Sequence, residues 1–272
     1  MPLSGELGLR LAGRTCAALL LTLFVVFLVA PVVVVALMSF TDQLYLAFPP
    51  TRLVLRWYYV VWDQPRWLRA AWNSIQIGVA TASASVFLGT LSALAVTRGA
   101  QRWLVPVGSL VVAPMMLPHI IIAIGLYPTM LDLGLSSSYA AVVIGHTVVA
   151  TPLVFITVSA ALRGYDHALE LAAMTLGANG WRSFIHVTLP MIRSGLVVGG
   201  IFAFAVSFDE LMLALFLASP RTETLPRLLW EHLAQTVTPA IAVVATLVLA
   251  FTLLLLLTVQ ALRRRGMAEP AA

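Results

Sequence analysis

The chain has 272 residues, 61% hydrophobic and only 10% charged, with a formal net charge of +5. That is too little charge to cover a soluble surface, and the apolar residues gather in blocks of roughly twenty or more, enough to cross about 30 Å of hydrocarbon, so a soluble globular domain is excluded. The arginines flank these blocks rather than forming one basic face, which excludes a nucleic-acid partner, and a single cysteine, Cys16, excludes an internal disulfide.

Residues 1–14 are a lead-in carrying Arg10 and Arg14, followed by an apolar run from about 15 to 39. A cleavable signal has an apolar core of roughly 7–15 residues, so the longer run here predicts a retained first transmembrane helix. Further spans are predicted at 72–97, 103–130, 140–162, 195–217 and 239–262. The fold class is therefore all-α and polytopic, with six transmembrane helices in a domain covering 15–262 and a tail at 263–272. The long first connection holds Trp57, Tyr58, Tyr59, Trp62, Trp67 and Trp72, which suits a short amphipathic helix at the lipid headgroups.

Orientation follows from the arginines. With the N-terminus inside, the inner segments hold Arg10, Arg14, Arg98, Arg102, Arg163, Arg182, Arg193, Arg263, Arg264 and Arg265. The outer segments hold Arg52, Arg56, Arg66, Arg69, Arg221 and Arg227. The excess inside predicts a multi-pass membrane protein with both termini cytoplasmic.

Small residues recur at helical spacing in the second span (Gly78, Ala82, Ser85, Gly89) and in the fifth (Gly195, Gly199, Ala203). They predict close backbone approach within a bundle. Pro106, Pro114, Pro118 and Pro128 fall in the third span and Pro152 in the fourth, where kinks are expected. Asn73 and Ser74 open the second span, and the expectation is that they cap it.

No hydrolase elbow, zinc helix or other metal-ligand constellation occurs, and the chain contains no lysine. A phosphate-binding loop needs a lysine to neutralise terminal phosphates, so if ATP drives this protein, another polypeptide hydrolyses it. The segment 163–194 reads RGYDHALELAAMTLGANGWRSFIHVTLPMIRS. Asp166 can cap a helix over 167–176 and Glu170 adds negative charge a turn later; Gly177 can take the left-handed cap conformation. Asn179 can cap a second helix near Trp181, which Leu189-Pro190 is expected to end. Two capped helices with Leu, Met, Trp and Phe exposed to water predict a docking element, since an apolar face outside the membrane wants a partner.

This segment resembles the EAA loop of ABC importer permeases, in which Glu-Ala-Ala is followed by Gly and then by Ile-x-Leu-Pro. Ala172, Ala173, Gly177, Leu189 and Pro190 match, Val187 replaces the isoleucine, Leu171 stands at the glutamate, and Glu170 lies one place earlier. The stretches AAWNSI (70–75), LPHIIIAIGL (117–126), FDELMLALFL (208–217) and TLPRLLWEHL (224–233) are similar to the second permease subunit of spermidine/putrescine-type importers. The resemblance implies the ABC importer permease (MetI-like) fold and no catalytic role of its own. It also implies a second permease subunit, an ATPase dimer that carries ATP and Mg beneath the coupling residues Asp166, Glu170, Leu171, Ala172, Ala173, Gly177, Leu189 and Pro190, and a periplasmic substrate-binding protein above. The substrate implied is a polyamine or related small polar solute, with an opine, phosphonate or other amino-acid-like solute as the alternative.

Candidate path or gate residues are Asp209 and Glu210 in the fifth span and His119 after Pro118 in the third. An ionisable group inside a membrane costs at least ~2.5 kcal/mol, so the two carboxylates either guide a cationic substrate or serve as a gate, or one of them pairs with an arginine of this or the partner subunit or lies at the interface. Relatives of the polyamine type carry an acid where His119 stands. A histidine there suits an anionic or zwitterionic solute, or is a hydrogen-bonded core residue, as is expected of His146. A membrane-embedded enzyme would have to draw on these same groups, and a stand-alone secondary transporter would show an internal repeat of spans; neither pattern is convincing.

Overall fold

The structure is a computed structural model that describes residues 3–99 and 104–268. Arg102 and the last residues of the tail lie outside the described residues, as do the side chains of Arg10, Arg263, Arg264 and Arg265 used in the charge count. The chain divides into two compact units, Met1–Gln64 with His232–Ala250, and Pro65–Glu231 with Phe251–Ala272.

In the first unit, helix α1 (Leu3–Met38) contains the span Gly13–Met38, whose apolar side chains are exposed along its length. A chain with Leu, Val and Phe outward in this way is solvated by lipid rather than water. Helix α2 (Arg56–Asp63) is the amphipathic helix expected of the aromatic connection, with Trp57 and Val61 buried and Tyr59 and Trp62 exposed. Tyr58 is 2.9 Å from Ser39 through its hydroxyl, and its ring packs on Phe40 at 5.1 Å.

The second unit is built on three long helices, α3 (Pro65–Arg98), α6 (Tyr139–Arg163) and α9 (Leu189–Phe208). Bonds join the starts of α3 and α6 (Tyr139 to Asn73) and their ends (Arg98 to Leu162), so these two helices run parallel, while α9 returns against α6. The small-residue stripes make the contact. A Cβ on Gly89 would sit 2.8 Å from Val154 Cβ and 3.0 Å from the Phe155 nitrogen, and one on Gly199 would sit 3.2 Å from Val154 Cα. Only a hydrogen fits at these crossings. Ala93, Ala150, Val154, Val158, Leu162, Ile192 and Ala203 form the core so enclosed.

The third expected span is not one straight helix. Helix α4 (Val105–Val112) runs into a short tight turn (Ala113–Met116), and helix α5 (His119–Asp132) leaves at a 106° bend. The cause is local: Leu117 precedes Pro118, whose ring disfavours helical backbone there, and Leu117 takes ψ 137°. Pro128 and Pro152 stay inside α5 and α6 without such a break. Among the described residues, five candidate membrane helices and one bent pair thus stand for the six expected spans.

Two further boundaries differ from expectation. Leu189-Pro190 does not end a helix: after α7 (Ala168–Thr175) and α8 (Gly180–Ser183), a π turn (Phe184–Thr188) leads directly into α9, with Pro190 in its first turn. A proline's missing N–H is harmless at a helix start, and the widened turn supplies that start. At its other end α9 stops at Phe208, and α10 (Met212–Leu217) begins after a break, so Asp209 and Glu210 lie between helices rather than along one. Helix α11 (Leu225–Gln235) and helix α12 (Pro239–Ala268) complete the chain.

Candidate functional site

Two groups of the expected residues are assembled at different levels of the α3–α6–α9 bundle. Asn73 and Arg98 lie about 38 Å apart along α3 at about 1.5 Å per residue, so the helix has two well-separated ends.

At the Arg98 end lies the 166–190 segment. The Asp166 carboxylate accepts from the Ala168 N–H at 2.9 Å, and Gly177 has φ +93° with no atom within 4 Å of a would-be Cβ. Asn179 Oδ1 accepts from the Arg182 N–H at 2.8 Å, closing the start of α8. The Asn179 cap and the left-handed turn are where the sequence puts them, whereas α7 starts one residue later than expected, with His167 rather than Asp166 at its cap position and no side-chain cap there. The turn directs one apolar face outward: Leu169, Leu171 and Met174 are exposed, Leu176 is 89% exposed, and Trp181 is 70% exposed and stacks on Phe184 at 5.8 Å. Ala172 is exposed and Ala173 half-buried. Leu189 is half-buried and Pro190 exposed at the head of α9.

Glu170 does not share that outward face. It is 9% exposed, its Oε1 accepts from the Tyr165 hydroxyl and lies 3.3 Å from the Arg98 guanidinium, and its Oε2 is 3.0 Å from His167 Nδ1. Burial pushes the Glu170 carboxyl up, but the Tyr165 and Thr188 hydroxyls, Arg98 and His167 together hold it below the usual glutamate value. Arg98, Tyr165 and Thr188 escaped sequence reasoning. The one available signal was an arginine at the last turn of an apolar helix, which topology alone seemed to explain.

Nearer the opposite end, the break after α9 unites the membrane candidates. His119, first residue of α5, places Nδ1 2.6 Å from Glu210 Oε2, and Glu210 Oε1 accepts from the Leu213 N–H at 3.1 Å. Glu210 is only 5% exposed, whereas Asp209 beside it is exposed. His146 lies a short way below, fully buried on α6, with Nδ1 2.8 Å from Ser207 Oγ. It is a hydrogen-bonded core residue, as expected.

Asn73 and Ser74 are not caps. They sit inside α3, where Asn73 Nδ2 donates to the Arg221 and Glu223 carbonyls at 3.1 and 2.9 Å, and Ser74 Oγ accepts from the Leu225 N–H at 2.8 Å. Tyr139 donates to Asn73 Oδ1 at 2.8 Å. Arg66 forks onto Glu223 at 2.9 Å and Glu231 at 2.6 Å. Together these bonds pin the 218–231 segment to the starts of α3 and α6. A cleft of about 240 Å³ opens there, lined by Arg66, Arg69, Asn73, Pro220 and Glu223.

Residues 85–266 match the protein family described as "Binding-protein-dependent transport system inner membrane component". The chain is 30% identical over 230 residues, 82% of each chain, to the putrescine transport system permease protein PotI of Escherichia coli (strain K12). It is 25% identical over 252 residues, 93% of this chain and 95% of the other, to the spermidine/putrescine transport system permease protein PotC of the same strain. Among solved structures it resembles a chain of a bacterial ABC transporter involved in the import of the acidic polysaccharide alginate, with a TM-score of 0.75 and 17% identity over 93% of this chain and 96% of that one. The last likeness concerns the fold alone.

Proposed function

The chain belongs to the family of binding-protein-dependent transport system inner membrane components, and on that premise we propose that it is the permease subunit of an importer for polyamines or related small polar organic solutes. Being a membrane permease of an ABC importer, it is a transporter subunit and not an enzyme. In the proposed assembly a second permease subunit completes the path, two ATPase subunits bind ATP and Mg, and a periplasmic binding protein delivers solute. Both termini lie in the cytoplasm, as the arginine excess suggests, with 163–194 as the coupling segment and 263–272 as a cytoplasmic tail.

The observation that carries the docking role is the outward apolar face of Leu169, Leu171, Met174, Leu176 and Trp181 on a segment of two short helices joined by the left-handed turn at Gly177. Water-exposed apolar area of this kind is stabilised by a partner surface. ATP-driven closure of the ATPase dimer would move this segment, and the bundle above would exchange inward-facing and outward-facing states, each ligand biasing the balance.

For the substrate, the observation is the pair of acids at the α9–α10 break, together with the names of the polyamine permeases that the chain resembles. A carboxylate held in a low-dielectric setting is a ready partner for an ammonium group. The His119 ring against Glu210 favours a second reading, an amino-acid-like solute with both charges. Uptake of labelled putrescine and spermidine by the assembled importer in proteoliposomes tests the choice. On the polyamine reading, Glu210→Gln lowers uptake by about tenfold or more, since a hydrogen bond to a charged group is worth ~1.5–3 kcal/mol. Undiminished polyamine uptake by that variant removes Glu210 from the path.

A further inference from the structure

The acid expected to meet the ATPase is turned the other way, and its surroundings define a different task. Glu170 sits on α7 directly before the exposed Leu171. Around its carboxylate converge Arg98 from the last turn of α3, Tyr165 just past the end of α6, His167 ahead of α7, and Thr188 from the π turn that opens into α9. Arg98 is itself fixed, its guanidinium lying 4.9 Å over the Tyr165 ring and donating to the Leu162 carbonyl at 3.2 Å. Ser183 adds a bond to the Glu170 carbonyl at 3.4 Å. One buried carboxylate thus joins the exposed face to the last turn of α3, to the connection just past α6 and to the π turn that opens α9.

We infer that the Glu170–Arg98 pair is a clamp that makes the 166–190 segment move as one body with α3, α6 and α9, so that Glu170 is a positioning residue in the transmission of force and not a contact to the ATPase. The clamp rests on the reading of this segment as the docking element. Energy delivered to Leu171, Met174 and Leu176 reaches the membrane helices only if the segment between them does not yield. An ion pair sheltered from water, with its remaining lone pairs taken by hydroxyls, resists such yielding far better than an exposed pair. Removing one partner leaves the other largely buried charge without its ion-pair partner, which is why the two residues act as a unit.

The test is a double-mutant cycle in the assembled importer, using Glu170→Gln, Arg98→Gln and the double variant. The readouts are ATPase co-purification, solute taken up per ATP hydrolysed, and the mobility of a spin label at Thr175→Cys in a Cys16→Ser background. A clamp predicts that each single variant keeps the ATPase bound and lowers uptake per ATP roughly tenfold, equivalent to ~1.4 kcal/mol. It also predicts that the double variant is no worse than either single, as coupled partners require, and that the label is freed in all three. Loss of the ATPase from Glu170→Gln alone, multiplicative losses in the double variant, or an unchanged label overturns it. The docking reading fails separately, if Leu176→Asp retains the ATPase. The label reports the clamp in either case.

Discussion

Replacing Gly177 by valine isolates the backbone's contribution to coupling. Gly177 has φ +93°, and a Cβ built there meets nothing within 4 Å, so the substitution creates no clash with a neighbour. Its whole cost is conformational: a left-handed backbone costs an ordinary residue about 1–2 kcal/mol, and a β-branched side chain sits at the upper end. At ~1.4 kcal/mol per tenfold, the turn between α7 and α8 shifts roughly ten- to thirtyfold toward other geometries. The turn sets the relative directions of Leu176 and Trp181, so the docking face is lost while the bundle, held by separate contacts, stays folded. The assay is ATP hydrolysis stimulated by loaded binding protein in the reconstituted complex, with membrane insertion and thermal unfolding of the chain as controls. Gly177→Val abolishes stimulation without lowering the unfolding midpoint of the bundle, and Gly177→Asn retains much of it, because Asn tolerates this backbone region. Full stimulated turnover in Gly177→Val refutes the reasoning.

Other consequences lie elsewhere in the chain. Gly89→Val forces a methyl-bearing carbon against Val154 and the Phe155 backbone, where little can give, so it lowers bundle stability by ~1–3 kcal/mol in thermal unfolding and reduces the amount inserted. Glu170 has a depressed pKa in the folded chain, so its stabilisation is complete above the ordinary glutamate value of 4.5 and is lost as pH falls through the lower folded value. A label at Thr175→Cys therefore keeps constant mobility from pH 8 to about 5.5 and loosens only below ~4.5; loosening near pH 6.5 would contradict this. Asn73→Leu strands the Glu223 carbonyl and leaves the Tyr139 hydroxyl and the Arg221 carbonyl only their long 3.4 Å bond to each other, so protease cleavage within 218–231 should accelerate at unchanged insertion.

Much of this architecture is legible in the residues because it rests on short-range rules. Apolar runs longer than a bilayer mark the spans, Asn179 is a cap by its chemistry, Gly177 supplies a conformation others resist, and the Gly78–Gly89 and Gly195–Ala203 stripes show where helices touch. The parts that escaped involve choices between equal local signals or partners far apart in the chain. Several prolines crowd the third span, and only the conformation at Leu117–Pro118 makes one of them a 106° bend. Pro190 after Leu189 suits a helix end or a helix start equally well, and the π turn before it decides for a start. Asp209 and Glu210 give no local sign that the helix stops at Phe208. The Glu170–Arg98, His119–Glu210 and Asn73–Arg221 contacts each join remote segments, which no spacing in a single sequence announces.

The central claim is that the outward face of 166–190 is seated on an ATPase. A photo- or thiol-reactive crosslinker at Leu176→Cys, in a Cys16→Ser background within the assembled importer, reads it directly. The account predicts an adduct between this chain and the ATPase subunit, suppressed when Leu171→Asp is added. An adduct with the periplasmic binding protein, or labelling of residue 176 by an impermeant reagent from outside intact cells, would contradict it.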